Sequence, residues 1–204
     1  SESAAKQSKR NLVPQVFDVL SYKQALAMAA GMDLFWLPYE NERGMAATRE
    51  ALEAIRPGMK VAILIGPEGG FEEKEVLLAQ EKGARSIIMA TCLAMLEDSE
   101  DPRLGMTKEK FNFFNLNKAL TNSENNFQGL KEYFQGRSPL SQAVTLSRQV
   151  LSAAEATMAS YMSIAFDKLS MFNDRGLCGL TSATDINAVQ FSQRPTALFM
   201  KIPD

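Results

Sequence analysis

The chain of 204 residues contains no histidine, two cysteines and one tryptophan. The absence of histidine excludes Ser-His-Asp triads, Cys-His dyads and zinc sites that need imidazole ligands. The two isolated cysteines, Cys92 and Cys178, are typical of a reducing cytoplasm rather than of a disulfide scaffold, and both are expected to be buried, inert thiols. The predicted location is therefore cytoplasmic.

Long apolar runs and a strong net charge are also missing. The longest apolar run, residues 87–96, is about half of what spanning a bilayer needs, and we recognise no signal peptide. The formal net charge is −2, so any nucleic-acid site must be a local basic patch. The acidic stretch at 97–101 lacks the spacing of a calcium loop, so we expect a solvated turn there and no metal site.

The first part of the chain alternates between strand-like and helix-like segments. Near-continuous aliphatic strands separated by helices favour an α/β fold, with a parallel sheet and flanking helices. Ser21 is a suitable cap for the first of these helices. Strands are predicted at 15–20, 32–40 and 60–66, and helices at 21–31, 44–58 and 71–83, followed by an apolar run at 84–90.

The second part is predicted to be a mainly α-helical domain. Apolar residues recur at helical spacing over 107–120, 123–136 and a long segment at 138–174 that Ser141 would cap. A loop at 175–195 and a terminal strand at 196–203 follow. Six aromatic residues of this part could stack on bases, but their spacing favours core positions, as does that of Met158, Met162 and Met171. The six are Phe111, Phe113, Phe114, Phe127, Tyr133 and Phe134.

A glycine-rich turn joins the third predicted strand to its helix. It consists of Gly66, Pro67, Glu68, Gly69 and Gly70. The glycines permit backbone geometry closed to other residues and let a ligand approach the main chain. The glutamate can accept hydrogen bonds from ribose hydroxyls or an amine, and ligands of α/β proteins bind at the carboxyl ends of strands. The alternative is a tight connection without a ligand, and spacing alone does not decide between the two.

The turn and two upstream segments resemble the RsmE family of SPOUT-class methyltransferases. These enzymes transfer a methyl group from S-adenosylmethionine to N3 of a uridine in small-subunit ribosomal RNA. The resemblance rests on residues 1–16, 34–43 and 65–76, and it covers about residues 1–87. It implies a partial SPOUT-like fold and ribosomal RNA as the partner.

The RsmE resemblance also assigns roles to individual residues. It implies that the five residues of the turn form one wall of the S-adenosylmethionine pocket. It places Gln7 and Arg10 on the RNA-binding side, with Arg10 as the catalytic candidate. Pro38, Tyr39 and Glu40 would lie near the same pocket.

After residue 87 the sequence departs from the RsmE pattern. The family segment expected there threads a trefoil knot and completes the cofactor pocket, whereas residues 88–102 read differently. The family's N-terminal RNA-binding domain and the first strand of its catalytic domain are not recognised either. We therefore expect little or no methyl transfer. Because SPOUT sites are usually built across a dimer, the resemblance also implies a homo-oligomer.

Residues from about 87 to 204 resemble another family, the TraG-type coupling ATPases of conjugation and type IV secretion. The similar segments, 93–120, 142–174 and 194–204, correspond to the all-α domain and a return strand. No Walker A loop is present, so ATP hydrolysis is not expected. The resemblance implies a non-enzymatic module that binds DNA or a relaxase through surface cations. These are Lys108, Lys110, Lys131, Arg137 and Arg148.

The sequence is thus interpreted as a composite of two domains. Residues 1–87 would be an RsmE-like fragment and residues 88–204 a coupling-protein fragment. The first hypothesis for function is a truncated RNA methyltransferase, and the alternative is a module that binds DNA or a relaxase. For Arg148, a solvated side chain or an ordinary pairing with a neighbouring residue is favoured over a phosphate contact.

Overall fold

The computed structural model describes residues 2–39, 46–68, 70–121, 124–182 and 193. These residues contain nine α-helices and two β-strands. In chain order they are α1 (Glu2–Gln7), α2 (Tyr22–Ala29), β1 (Leu34–Trp36), α3 (Ala46–Glu53), β2 (Val61–Ile63), α4 (Glu73–Ser99), α5 (Phe113–Thr121), α6 (Glu124–Gln135), α7 (Gln142–Leu151), α8 (Glu155–Leu169) and α9 (Arg175–Ser182). Short 3-10 turns occur at Pro102–Leu104 and Ser170–Asn173.

The two described strands form a small parallel sheet. Leu34 lies opposite Val61 and Trp36 opposite Ile63. The Leu64 N–H donates to the Trp36 carbonyl at 2.9 Å and continues the pairing past the end of β2. A parallel α/β element with flanking helices is therefore confirmed, although the described protein is mostly helical.

The first predicted strand, residues 15–20, does not form. The segment has no regular structure, and the described sheet contains only β1 and β2. A β-strand needs a neighbour for its backbone groups, and without one the segment leaves Val16, Phe17 and Val19 exposed. By contrast, the predicted Ser21 cap is present, since the Ser21 side chain accepts from the Gln24 N–H.

The long helix α4 is the central element of the structure. The sequence predicted a helix ending at Gly83 and a separate apolar run at 84–90, but α4 continues unbroken through both. Gly83 lies against the ring of Tyr161 in α8, where an added Cβ would be 2.6 Å from the ring. This glycine therefore permits close helix packing and does not end the helix.

Helices α4 to α8 enclose one hydrophobic core. Helix α4 contributes several small side chains, such as Ala84, Ala90 and Ala94, together with Ile87 and Met95. The larger buried residues of the other helices are Leu116, Leu120, Leu130, Phe134, Val150, Met158, Tyr161, Met162 and Leu169. The predicted division at residue 87 falls inside α4, whose residues on both sides of that position pack in this core.

The predicted long helix at 138–174 is two helices. α7 ends at Leu151, Ala154 has extended backbone, and α8 begins at Glu155. No proline or glycine marks this break in the sequence. The predicted cap of α7 is present, because the Ser141 side chain accepts from the Val144 N–H at 3.2 Å.

The loop predicted at 175–195 begins instead with helix α9. The Asp174 carboxylate accepts from the Leu177 N–H at 2.9 Å and caps the first turn. The two glycines of this helix, Gly176 and Gly179, had favoured a loop. The terminal strand predicted at 196–203 lies outside the described residues, as does most of the rest of the predicted loop.

The predictions of buried side chains are only partly right. Phe134, Met158 and Met162 are buried in the core, and Phe127 and Tyr133 pack against it. The other four predicted core residues are exposed: Phe111, Phe113, Phe114 and Met171. Both cysteines are half-buried rather than buried, and burial raises the pKa of Cys92.

Direct contacts join the sheet to the helical part. Arg148 of α7 forms an ion pair with Asp33, with Nη1 and Oδ1 2.7 Å apart. The neighbouring Gln149 side chain is buried and donates to the Ala29 carbonyl at 3.4 Å. The favoured interpretation of Arg148 as a paired helix arginine is therefore confirmed.

The contact between Asp33 and Arg148 predicts a pH dependence of stability. The hydrogen bond from the Lys60 N–H, followed by the Arg148 interaction, lowers the pKa of Asp33. A depressed carboxyl pKa stabilises the fold above the unfolded value of about 3.9, and this stabilisation is lost as the pH falls through the folded value. Asp33→Asn is therefore expected to be less stable than the wild type at pH 7 and to approach it at about pH 3.

Urea unfolding of both proteins across this pH range measures the difference. Glu81→Gln is a suitable control, because Glu81 pairs with Lys168 at 3.1 Å while both side chains remain more than a third exposed. A stability difference for Asp33→Asn that stays constant from pH 7 down to pH 3 would contradict the prediction.

Candidate functional site

The glycine-rich turn follows the last residues of β2 and leads into α4. Gly70 closes it, since its N–H donates to the Pro67 carbonyl at 2.8 Å. Gly70 has a φ of 74°, a left-handed conformation that favours glycine. The turn therefore needs glycine at position 70 for a backbone reason. Gly69 lies outside the described residues.

Glycine is favoured at position 66 for a different reason, which is the limited space for a side chain. A Cβ at this position would lie 3.1 Å from the carbonyl carbon of Gly70 and 3.2 Å from the Phe71 ring. The backbone on the other side of the turn cannot move away as a flexible side chain could. Gly66 thus lets the two arms of the turn approach each other.

Phe71 and Tyr22 fix the turn against helix α2. Their ring centroids are 6.3 Å apart, and the Tyr22 hydroxyl donates to the Glu75 carbonyl at 2.8 Å. Burial, followed by the nearby Glu75 carboxylate, raises the pKa of Tyr22. The Glu72 N–H donates to Glu75 Oε2 at 3.0 Å and completes the start of α4. Sequence reasoning missed Tyr22, since no pattern near residue 22 indicates a contact 53 residues away.

The carboxyl ends of both strands meet beside this turn. Because β1 and β2 are parallel, residues 37–39 and 64–67 leave the sheet at the same edge. Pro67 and Glu68 are exposed there, and so is Pro38, while Tyr39 is half-buried. Glu40 lies outside the described residues. The arrangement presents one wall with main-chain groups and an exposed carboxylate at its rim, which suits an extended ligand with hydroxyl or amino groups.

The described contacts do not connect the two predicted RNA-binding residues, Gln7 and Arg10, to this wall. Gln7 ends α1, and Arg10 follows it after a left-handed residue, Lys9. Both side chains are exposed. Within the described ranges, no hydrogen bond or ion pair joins either side chain to the turn. Their roles in substrate binding and catalysis therefore stay predictions.

The segment that stands where the resembled family has its knotted segment is helical in this protein. Residues 88–99 form the last three turns of α4, and the chain then enters the Pro102–Leu104 turn. A small cavity of about 10 Å³ lies between α2, β1, α4, α7 and α8, and it is lined by Phe35, Lys82 and Tyr161 among others. It has room for about one water molecule, and no residue of the glycine turn lines it.

Most cations that the second resemblance implied for DNA binding are engaged within the protein. Arg137 pairs with Asp98 at 2.6 Å and with Glu97 at 3.2 Å. Lys110 donates to the Gly105 carbonyl at 2.6 Å, and Arg148 is paired with Asp33. Only Lys108 and Lys131 of this set remain without an ion pair or hydrogen bond within the described part of the chain.

The acidic stretch is therefore not the solvated turn that the sequence predicted. Glu97 and Asp98 belong to the end of α4, and Asp98 is buried. Their partner Arg137 lies about 40 residues further along the chain, so sequence spacing gave no sign of the pairing. No group of three or more acidic or cysteine side chains in the described structure is placed to hold a metal ion. None of the described helices combines the length and apolar character needed to cross a membrane.

Comparison with known proteins shows that the first part is similar to RNA methyltransferases. Residues 1–92 match the family model described as RNA methyltransferase domain. Ribosomal RNA small subunit methyltransferase E of Bacillus subtilis is 38% identical over 79 residues, which are 37% of this chain and 31% of that protein. The protein of the same name from Mesomycoplasma hyopneumoniae is 29% identical over 86 residues, 42% of this chain and 35% of its own length.

The chain thus spans about a third of the length of the curated relatives it matches. No solved structure matches it. The comparisons give no support to the resemblance between the second part and coupling proteins. The first part of the chain is RsmE-like and similar to RNA methyltransferase domains.

Proposed function

We propose that the glycine turn binds S-adenosylmethionine, or the S-adenosylhomocysteine formed from it, as part of a ribosomal RNA uridine-N3 methyltransferase. The observation that carries the proposal is the meeting of the carboxyl ends of two parallel strands at a turn whose geometry favours glycine at positions 66 and 70. The names of the two relatives support ribosomal RNA as the substrate.

The described residues fit one side of such a cofactor. The exposed carboxylate of Glu68 would accept hydrogen bonds from the ribose hydroxyls or the amino group, and glycine backbone would contact the remainder. The bound cofactor would supply an electrophilic methyl group on its sulfonium. Gln7 and Arg10 would hold the RNA so that a deprotonated uridine N3 lies in line with that methyl group, which is a matter of positioning.

We infer that catalysis by this chain is weak. Residues 88–99 continue α4 and pack in the helical core, so they do not fold over the turn as the knotted segment of the resembled family would. The cofactor would then be enclosed on one side only. A second copy of the chain could supply the other side, and the predicted homo-oligomer is retained as part of this proposal.

The alternative function, a module that binds DNA or a relaxase as coupling proteins do, is not favoured. Three of its five candidate cations have partners within the protein. Helices α7 and α8 instead pack along α4, and α7 also contacts Asp33 and Ala29 beside β1. These contacts favour a scaffold role for α7 and α8, which hold the RsmE-like part in place.

Substitution of Glu68 tests the proposed cofactor site. Calorimetric titration with S-adenosylhomocysteine should give micromolar binding for the wild type, and Glu68→Ala should weaken it about 10- to 100-fold, since hydrogen bonds to a charged group contribute about 1.5–3 kcal/mol. Because Glu68 is exposed, the fold should be unaffected.

Glu73→Ala is the matched control, because it removes the same charge from an exposed residue five positions along. Its affinity should equal that of the wild type. Equal affinities for Glu68→Ala and Glu73→Ala, or no heat with the wild type at high protein concentration, would mean that the turn is a structural connection only.

A further inference from the structure

The segment around the start of α5 is basic, although the chain as a whole is not. Between residues 103 and 118 the sequence has four basic residues and one acidic residue, Glu109, while the formal net charge of the chain is −2. Arg103 is paired with Asp101, and Lys110 is bound to the Gly105 carbonyl. Lys108 and Lys118 are exposed and have no ion pair among the described residues.

Three phenylalanines in the same segment expose their rings. Phe111, Phe113 and Phe114 are 42%, 46% and 44% exposed. The Phe113 ring stacks on the half-buried Phe172, with centroids 4.3 Å apart and planes 14° from parallel. Three partly exposed phenylalanines within four residues place apolar surface close together on one short segment, which is where an interaction site is sought.

The backbone that carries these rings is firmly held. The Asn112 side chain accepts from the backbone N–H of Asn115 at 2.9 Å and caps α5. The side-chain amide of Asn115 donates to the Lys110 carbonyl at 2.9 Å. The inner side of α5 is anchored in the core by Leu116 and Leu120. The rings are therefore presented in a fixed arrangement, which lowers the entropy cost of binding.

Helical geometry places a ring and a cation together on the outer side of α5. Phe114 and Lys118 are four residues apart, so they are neighbours on the helix surface, and both are exposed. An apolar patch alone would suit many partners. The adjacent lysines add complementarity to a polyanion with planar groups.

We propose that this aromatic–lysine surface, formed by Phe111, Phe113, Phe114, Lys108 and Lys118, binds single-stranded nucleic acid. Bases would stack on the exposed rings, and the phosphates would contact the two lysines. In a duplex the bases are already stacked on each other, so the surface would favour single strands. The surface belongs to the helical part and does not depend on the cofactor turn, so either proposal can fail without the other.

Fluorescence anisotropy with a labelled oligouridylate of about twelve nucleotides tests the proposal at low salt. Phe114→Ala should weaken binding about tenfold or more, because one base loses its stacking partner. Lys118→Ala should weaken binding several-fold and lower the slope of log affinity against log salt by about 0.7. Phe17→Ala and Lys23→Ala are the matched controls, since both residues are exposed and lie in the first part.

Two further variants separate stacking from general apolar contact. Phe114→Trp should retain the affinity, whereas Phe114→Leu should lose it. An oligothymidylate of the same length distinguishes RNA from DNA, and binding of either supports the proposal. No binding by the wild type at low salt, equal losses in the two controls, or equal affinity for a duplex would overturn it. The proposal would also be overturned if the Phe114 variants changed the oligomeric state measured by gel filtration but left the affinity for the oligonucleotide unchanged.

Discussion

Arg137→Ala is expected to lower the free energy of unfolding by about 3–5 kcal/mol, the range found when one partner of a buried ion pair is removed. Arg137 and Asp98 are each only 12% exposed, and Arg137 Nη2 lies 2.6 Å from Asp98 Oδ1. Its Nη1 lies 3.2 Å from Glu97 Oε2. The variant would leave two adjacent carboxylates without their cation, one of them buried.

Arg137, Asp98 and Glu97 also contact Tyr133 and Ser141, so Arg137→Ala is expected to disturb more than one interaction. The Tyr133 hydroxyl donates to Asp98 Oδ2 at 2.5 Å, and the Arg137 guanidinium lies 4.4 Å from the centroid of the Tyr133 ring. Burial, followed by the hydrogen bond to Asp98, raises the pKa of Tyr133. The Ser141 hydroxyl donates to Glu97 Oε1 at 2.6 Å, and the same side chain caps α7. The network therefore joins the end of α4 to α6 and to the start of α7.

Urea unfolding measures this effect, and Arg103→Ala provides the control. Arg103 also pairs with an aspartate at 2.6 Å, but its side chain is 88% exposed. Its removal should not shift the unfolding midpoint measurably, because exposed ion pairs contribute little. The two variants thus each remove an arginine that pairs with an aspartate at 2.6 Å, one from an exposed ion pair and one from a buried ion pair.

A second comparison separates the buried charge from the contact. Arg137→Ala combined with Asp98→Asn should lose less stability than the sum of the two single variants, because the double variant no longer buries the uncompensated Asp98 charge. Similar midpoints for Arg137→Ala and Arg103→Ala would contradict the prediction. Additive losses in the double variant would show that Asp98 and Arg137 act independently.

This network illustrates what the sequence could not predict. Periodicity and cap residues located most of the helices, and the Ser21 and Ser141 caps are where they were expected. The pairing of Arg137 with Asp98 depends on how α6 packs on α4, which no local pattern encodes. For this reason the sequence around residues 97–101 resembles a solvated turn although Asp98 is buried, and Arg137 resembles a surface cation although its side chain is only 12% exposed.

The candidate site was predictable only in its local features. The glycines, the strand-to-helix connection and the parallel strand ends follow from the turn sequence and from aliphatic runs. The contact of Tyr22 with Phe71 and Glu75 does not, because it joins residues about 50 positions apart. The strand at 15–20 was wrong for a related reason: its β-like composition does not supply a neighbouring strand.

Gly83→Ala is expected to lower the free energy of unfolding by about 1–3 kcal/mol, the usual range for overpacking. In a helix interior this substitution normally raises stability by about 1 kcal/mol, so the contact with Tyr161 must outweigh that gain. The added Cβ would lie 2.6–2.7 Å from three atoms of the ring. Tyr161 belongs to α8 and is buried in the hydrophobic core between the helices, where its ring has little room to move.

Gly179→Ala is the matched control for helix propensity. Gly179 lies inside α9, and nothing surrounds its Cβ position within 4 Å. This variant should gain up to about 1 kcal/mol, so the two glycine-to-alanine changes are expected to have opposite signs. Thermal unfolding followed by circular dichroism at 222 nm measures both, since each protein is mainly helical.

Truncation of the tyrosine identifies the cause. Tyr161→Ala removes the ring that Gly83 contacts and should itself cost about 3–5 kcal/mol, as for other buried aromatic residues. In that background Gly83→Ala should become neutral or stabilising, because the Cβ then enters the space left by the ring. If the penalty of Gly83→Ala persisted without the ring, Gly83 would be needed for another reason, such as a bend in α4. If Gly83→Ala stabilised the wild type, the Tyr161 ring would give way to the added Cβ at little cost, and contact with that ring would not be the reason for a glycine at position 83.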